Sequence, residues 1–245
     1  MNKGIGHEFL EKTKYQYLDV SDQDKGIKQP PLEQEHDKDQ NVIDLPDPKK
    51  LELGNISLVD AIEKRTSVRK YANKPLSLEE LSYLLWCTQG VKQIVSRPAT
   101  LRNVPSAGAR HAFETYLLIN NVEGLKPGLY RFLAIDHKLV EINLENNIDE
   151  SITVACLDQI MVKKSAVTFI WVADLYRMKW RYQERAYRYL LLDAGHVCQN
   201  LYLAAEGIDS GVCAIAAYDD DVINDILDLD GKEEFVTYIA SLGKK

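Results

Sequence analysis

The stretch EKRTSVRKY at residues 63–71 sets Arg65 and Arg69 four apart with Ser67 midway, where an amphipathic run stops. Two guanidiniums flanking a hydroxyl supply what an oxyanion needs, charge and donors in fixed directions. A basic run is also favoured at any helix C-terminus, by about 0.3–1 kcal/mol per charge. On its own, therefore, the stretch supports a ligand role and a structural role equally. A second element stands further along. Between Glu80 and Glu114 there is no acidic residue, whereas Lys92, Arg97, Arg102 and Arg110 all fall in that window. The window ends in N-V-P-S-A-G-A-R, whose small residues let a ligand approach the backbone and meet successive N–H groups. The same residues also suit an ordinary loop. In a chain of formal net charge −7 these are local concentrations of positive charge, so no nucleic-acid or anionic-membrane surface is expected.

Other chemistries find less support. The phosphate-loop pattern G-x-x-x-x-G-K-[ST], the dinucleotide fingerprint G-x-G-x-x-G and the zinc motif H-E-x-x-H are absent. Cys87, Cys156, Cys198 and Cys213 are widely spaced and apart from the histidines, so neither a metal site nor a disulfide framework is expected. Asp193 and His196 lie three apart in LLDAGHVCQN and could pair as acid and base. Their apolar neighbours favour a structural or interface role instead, and Gly195 beside them suggests close helix packing. The N-terminus has no apolar core between basic residues, and the most apolar stretch, AVTFIWVA at 166–173, is too short to span a bilayer. A cytoplasmic location is the expectation.

The elements that must position these residues can be traced along the 245-residue chain, which is long enough to bury a full core. Residues 1–55 hold half of the eight prolines, many acids and no sustained periodicity, and read as an extended arm anchored by Phe9, Tyr15, Tyr17, Ile43 and Leu45. Residues 56–245 read as the folded domain. S-L-V-D at 57–60 and S-L-E-E at 77–80 are capping boxes, opening a helix that ends near Lys64 and another, LEELSYLLWCTQ, closed by Gly90. Strands are predicted at 115–120, 128–135 and 138–143, the last two a hairpin turning at Asp136-His137. A helix is expected at 150–161, a buried strand at AVTFIWVADL, and a long helix over about 177–206. GVCAIAAY, DDVINDILDL and EFVTYIASLG close the chain as strand, helix and strand. The irregular alternation points to an α+β layer fold.

Taken in order, these segments resemble the FMN-dependent nitroreductase superfamily, and within it the subgroup that includes the azoline dehydrogenases of ribosomal-peptide maturation. The resemblance covers about residues 56–245. It rests on R-T-S-V-R-K-Y, P-S-A-G-A-R-H, G-L-Y-R-F and, most specifically, the block W-R-Y-x-x-R-A-Y-R-Y-L-L-L-D-A-G-H-x-x-Q-N-L-Y-L-A-A starting at Trp180.

The resemblance implies a mainly antiparallel central sheet flanked by helices, with a long core helix, in a homodimer that shares two FMN sites. Arg65, Thr66, Ser67 and Arg69 would meet the phosphate, ribityl chain and pyrimidine side of FMN. Arg69 would favour the reduced anion. The loop of Pro105, Ser106, Ala107, Gly108 and Ala109 would reach the flavin of the second subunit. Ala214, Ile215, Ala216 and Ala217 match the stretch whose backbone N–H approaches flavin N5, and Gly243 and Lys244 would sit by the phosphate. NADH or NADPH would donate the hydride, and an unidentified small molecule would accept it by a ping-pong scheme. Two departures bear on the substrate. Many members have Glu-Gly or a similar pair where this chain has Ala216-Ala217. Azoline dehydrogenases have Lys-Tyr where this chain has Arg181-Tyr182, and a guanidinium does not exchange protons near neutrality as an ammonium can. Arg181 and Tyr182 are thus candidates for substrate contact, azoline oxidation of a modified peptide is one alternative, and non-catalytic flavin binding is another.

Overall fold

The computed structural model describes residues 4–245; residues 1–3 of the expected arm lie outside the described residues. Seven strands form one sheet: β1 (Val42–Asp44), β4 (Phe113–Ile119), β5 (Gly128–Leu133), β6 (Lys138–Asn143), β7 (Val167–Asp174), β8 (Ser210–Ile215) and β9 (Glu234–Lys244). Their order is β1-β6-β5-β4-β7-β9-β8, with every neighbouring pair antiparallel. All of β4 and nearly all of β7 is buried. Helices cover both faces of this centre, so the strands read as continuous apolar runs, not as alternations. On one face α3 (Leu78–Gln89) and α7 (Ala186–Glu206) pack Leu81, Leu84, Leu85, Leu190, Val197 and Leu201 against Leu117, Phe169 and Trp171. On the other, α4 (Ile148–Ala155) and α8 (Asp220–Ile226) set Ile152 and Ile223 against Leu118, Ile170 and Val172.

Local chemistry explains most of the boundaries. Ser77 and Glu80 form the reciprocal capping box at the start of α3, with bonds of 3.1 and 3.0 Å. At α2 (Leu58–Lys64) the Ser57 hydroxyl accepts from the Asp60 N–H at 3.0 Å, but the shorter aspartate takes the Ser57 hydroxyl proton (2.7 Å) instead of reaching the backbone. That box is therefore only half made.

Three expectations are corrected. The helix expected at 177–206 is two helices, α6 (Leu175–Tyr182) and α7, separated by a tight turn at Gln183–Arg185 in which Gln183 takes φ +48°. The arm binds at this break: Asp19 N–H donates to Gln183 Oε1 at 2.8 Å, and Gln183 Nε2 donates back to the Asp19 carbonyl. The helix expected at 150–161 stops at Ala155 and resumes as the short α5 (Met161–Lys164), because Leu157 and Asp158 lie at left-handed φ (56° and 57°). The window rich in positive charge forms an unforeseen hairpin, β2 (Val91–Val95) with β3 (Ala99–Arg102).

The segment read as an extended arm includes a helix, α1 (Ile5–Lys12), and the edge strand β1, which pairs Val42 with Val140. It also reaches the interior. Arg131 donates to Gln34 Oε1 at 3.0 Å and to the Glu35 carbonyl at 2.8 Å, while Gln34 N–H donates to Glu114 at 2.9 Å. Burial and the charge of Glu114 push the Glu33 carboxyl up. Of the expected anchors, Ile43 and Leu45 pack on the core, Tyr15 meets the Tyr189 hydroxyl at 2.8 Å, and the Arg188 guanidinium lies 5.7 Å from the Phe9 ring.

Candidate functional site

After α2 the chain runs as a strip along the sheet's edge strand β8. Ser67 bridges to Val212 in parallel register, Val68 N–H donates to the Val212 carbonyl at 2.9 Å, and Ala72 N–H to the Lys244 carbonyl at 2.9 Å. Gly211 and Gly243, paired across β8 and β9, make this approach possible. A Cβ on Gly211 would lie 2.5 Å from the Val68 side chain, and one on Gly243 2.7 Å from the Tyr71 ring. Tyr71 locks the strip by hydrogen bonds to the Val68 carbonyl (2.9 Å) and Ser241 Oγ (2.8 Å), and its burial pushes the phenol well up.

The seat fixes the backbone and turns the polar side chains away from the core. Thr66, Ser67 and Arg69 are exposed and Arg65 half-buried; among the described residues neither arginine has a carboxylate partner. The Arg65 guanidinium lies over the Tyr202 ring at 5.4 Å. Tyr202, from α7, has its hydroxyl 3.1 Å from Ser67 Oγ and accepts from Ala214 N–H at 2.9 Å. It therefore joins the strip to the end of β8. Ala214 is half-buried, Ile215 buried, and Ala216 and Ala217 are exposed just beyond the strand, the Ala217 carbonyl held by Gln159 Nε2 at 2.8 Å. Sequence reasoning singled out 65–69 and 214–217 but missed Tyr202, which carries only the periodicity of a core helix.

A second cluster gathers the other expected residues. Gly108 sits at φ +58°, and a Cβ there would lie 2.6 Å from the Tyr182 hydroxyl and 3.1 Å from Arg181 Nε, so the 105–109 loop abuts the end of α6. Asp193 clamps that loop by accepting from Ala107 N–H at 3.3 Å, and Ser106 Oγ accepts from His111 N–H at 2.9 Å. Burial pushes the Asp193 carboxyl up, opposed by Ser106 and Ala107. His196 Nδ1 lies 4.0 Å from Asp193 Oδ1, beyond hydrogen-bond range, so Asp193 positions the loop without an acid–base partner. Burial, with Arg102, Arg110 and Arg177 nearby, pushes the His111 ring down to about 3.

The two clusters hang from opposite stretches of α7. Asp193 and Tyr202 are about 13 Å apart along the axis at 1.5 Å per residue. Gly243 and Lys244 lie against the strip: Gly243 is the seat of Tyr71, the Lys244 carbonyl accepts from Ala72 N–H, and Lys244 Nζ binds Glu80 and, at 2.8 Å, the Ile208 carbonyl. Among the described residues no cluster of histidine, cysteine, aspartate and glutamate could hold a metal, and no helix is long and apolar enough to cross a membrane.

Known proteins resemble this chain in sequence and fold. A nitroreductase of Methanocaldococcus jannaschii, so named without experimental assignment, is 32% identical over 83% of this chain and 96% of its own length. The trifolitoxin-processing protein TfxB of Rhizobium leguminosarum bv. trifolii is 29% identical over 63% of this chain and 44% of its own. The crystal structure of a protein of Anabaena variabilis described in the same terms superposes with a TM-score of 0.65 at 32% identity, covering 76% of this chain and 38% of that one. A chain of the Escherichia coli microcin synthetase McbBCD, solved with truncated pro-MccB17 bound, shares the fold (TM-score 0.62, 22% identity, 78% of this chain and 73% of that one). The chain thus spans nearly all of the archaeal relative but less than half of TfxB and of the Anabaena protein. Residues 62–244, from the last turns of α2 to the end of β9, match the profile of the Nitroreductase family, and the chain belongs to that family of oxidoreductases.

Proposed function

We propose that the chain is an FMN-dependent oxidoreductase that passes hydride from NADH or NADPH to a small organic acceptor by a ping-pong scheme. The observation that carries this reading is the strip itself: Arg65 and Arg69 without carboxylate partners, beside a Ser67–Tyr202–Ala214 hydrogen-bond chain. Exposed cations and a hydroxyl on a fixed backbone fit a phosphate and a ribityl chain, so the residues present suit the flavin. When bound, FMN supplies the atom that takes and returns the hydride.

In this reading Arg65 and Ser67 hold the phosphate end, and Tyr202 fixes Ser67 and the β8 terminus as one unit. Arg69 places positive charge where it favours the reduced flavin, and the backbone at Ala216 donates a hydrogen bond to the ring. Arg181 and Tyr182, against the 105–109 loop, contact substrate. The separation of the two clusters supports a homodimer in which each site takes its loop from the partner. Exposed Leu58, Val59 and Ile62 on α2, and Leu191 and Leu192 on α7, offer apolar surface for that contact, and open space at Gly195 admits close approach. Residues 56–245 then form the flavin domain and residues 1–55 the arm that braces it, in a cytoplasmic protein.

Kinship with TfxB, and with the trifolitoxin operon protein TfxC, favours a second reading in which the acceptor side is an azoline in a modified peptide. Arg181 argues against it. An absorbance spectrum of the purified protein, followed by anaerobic titration with NADH and then NADPH, tests the proposal. Flavin bands that bleach with either nucleotide are expected. Bound flavin that neither reduces would move the reading to the peptide substrate or to flavin binding without turnover, and inability to bind added FMN would contradict all three.

A further inference from the structure

The arginines around the 105–110 loop are not alike. Arg102 donates to Gln89 Oε1 and Thr100 Oγ1 at 3.1 Å, and Arg177 to Glu114 at 2.7 Å. Arg110 is only 5% exposed, stacks on Trp180 with its guanidinium 5.1 Å from the ring centre, and leaves Nε and Nη1 buried without a partner. Its neighbours are also cations. Arg181 lies against Gly108, two residues before Arg110. Burial, then Arg181 and then Arg97, lower the affinity of Arg110 for its proton. Buried donors without acceptors, facing further positive charge, are unfavourable as they stand.

We infer that Arg110 and Arg181 form an oxyanion site beside Tyr182, which holds a phosphate or carboxylate carried by the molecule that exchanges hydride at the flavin. An oxyanion there accepts a charge-assisted hydrogen bond from an orphaned Arg110 donor and relieves the repulsion between Arg110 and Arg181. The existence of the site stands on this geometry; the assignment of its ligand to the hydride-exchanging molecule rests on the proposed flavin chemistry. The strip at Arg65 and Arg69 supplies separate cations for the flavin's own phosphate.

The test titrates the purified wild-type protein, as isolated, and the Arg110→Gln and Arg181→Gln variants with sodium pyrophosphate and with sodium succinate. Sodium chloride at matched ionic strength is the control, and tryptophan fluorescence and the unfolding midpoint are the readouts. Saturable change with at least one oxyanion in wild type, weakened about tenfold or more in each variant, is expected for lost charge-assisted bonds. Preference for pyrophosphate assigns the ligand to a phosphate, as on a nicotinamide nucleotide, and preference for succinate assigns it to a carboxylate. Wild type responding as to chloride, or variants responding as wild type, overturns the inference, as does loss of bound flavin from folded variants. Arg181→Gln alters a half-exposed side chain and keeps the test decisive if Arg110→Gln does not fold. A wild type that responds to oxyanion yet binds no flavin contradicts the proposed function and leaves the site standing.

Discussion

Two groups of arginines divide the molecule. Arg131 and Arg177 are buried against Glu114, at 3.8 and 2.7 Å, with Asp174 at 2.8 Å from Arg177 and Gln34 and Glu35 of the arm completing the network. Arg65, Arg69, Arg110 and Arg181 have no carboxylate partner among the described residues. The charges of the first group are answered within the chain, although Nε of each is buried without a partner, and Arg131 holds the arm to the sheet. The second is left for something that the chain does not itself provide. Arg102, Arg185 and Arg188 also lack a carboxylate but donate to neutral acceptors of the chain, whereas no side-chain hydrogen bond within the described residues engages these four.

Removing the charge of the paired group is the strongest way to break this contrast. Glu114 is 3% exposed, and Glu114→Gln removes the buried carboxylate that both guanidiniums share, leaving Arg177 with Asp174 and Arg131 with the neutral acceptors of the arm; a loss of about 3 kcal/mol is expected by denaturant unfolding. Acid acts between the two groups, through His111. Its folded ring takes a proton only near pH 3, whereas an unfolded histidine titrates near 6.5. The contribution is therefore complete above about pH 6.5 and is lost as pH falls toward 3, with a slope of up to about 1.4 kcal/mol per pH unit. Unfolding curves of wild type and His111→Asn at pH 7.5 and 5 should show the smaller drop in the variant.

The seat of the unpaired group is the next target. Gly243→Ala drives a methyl into the Tyr71 ring. It should cost about 1–3 kcal/mol and weaken flavin binding together with stability, measurable by unfolding and by flavin titration. The smallest effect on stability belongs to the free arginines: Arg65→Gln and Arg69→Gln should each stay within about 0.5 kcal/mol of wild type in the same unfolding experiment.

Legibility in the sequence follows the range of the interactions. Helix α3 was readable to the residue because Ser77, Glu80 and Gly90 write its ends locally, and β7 to within a residue at each end because its run is largely apolar. Hairpin β2–β3 was not, since β2 is exposed at its three central positions and so shows no inward face. The break between α6 and α7 has no glycine or proline to announce it. Its partner is Asp19, 164 residues away in sequence. At the candidate site, the basic strip and the small-residue loop were visible as residue types, and the family resemblance supplied their expected roles. Tyr202, Asp193 as a loop clamp, and the glycine pair Gly211–Gly243 owe their roles to packing between distant elements, and Lys244 is taken up by Glu80 for the same reason.

The most direct measurement is titration of flavin-stripped wild type and the Arg65→Gln/Arg69→Gln double variant with FMN, read by flavin fluorescence alongside an unfolding curve of each protein. Saturable binding by wild type, at least about a hundredfold weaker in an equally stable double variant, is expected from the loss of two charge-assisted contacts. Equal affinity in the two proteins, or no binding by wild type, would contradict the assignment of the strip as the flavin site.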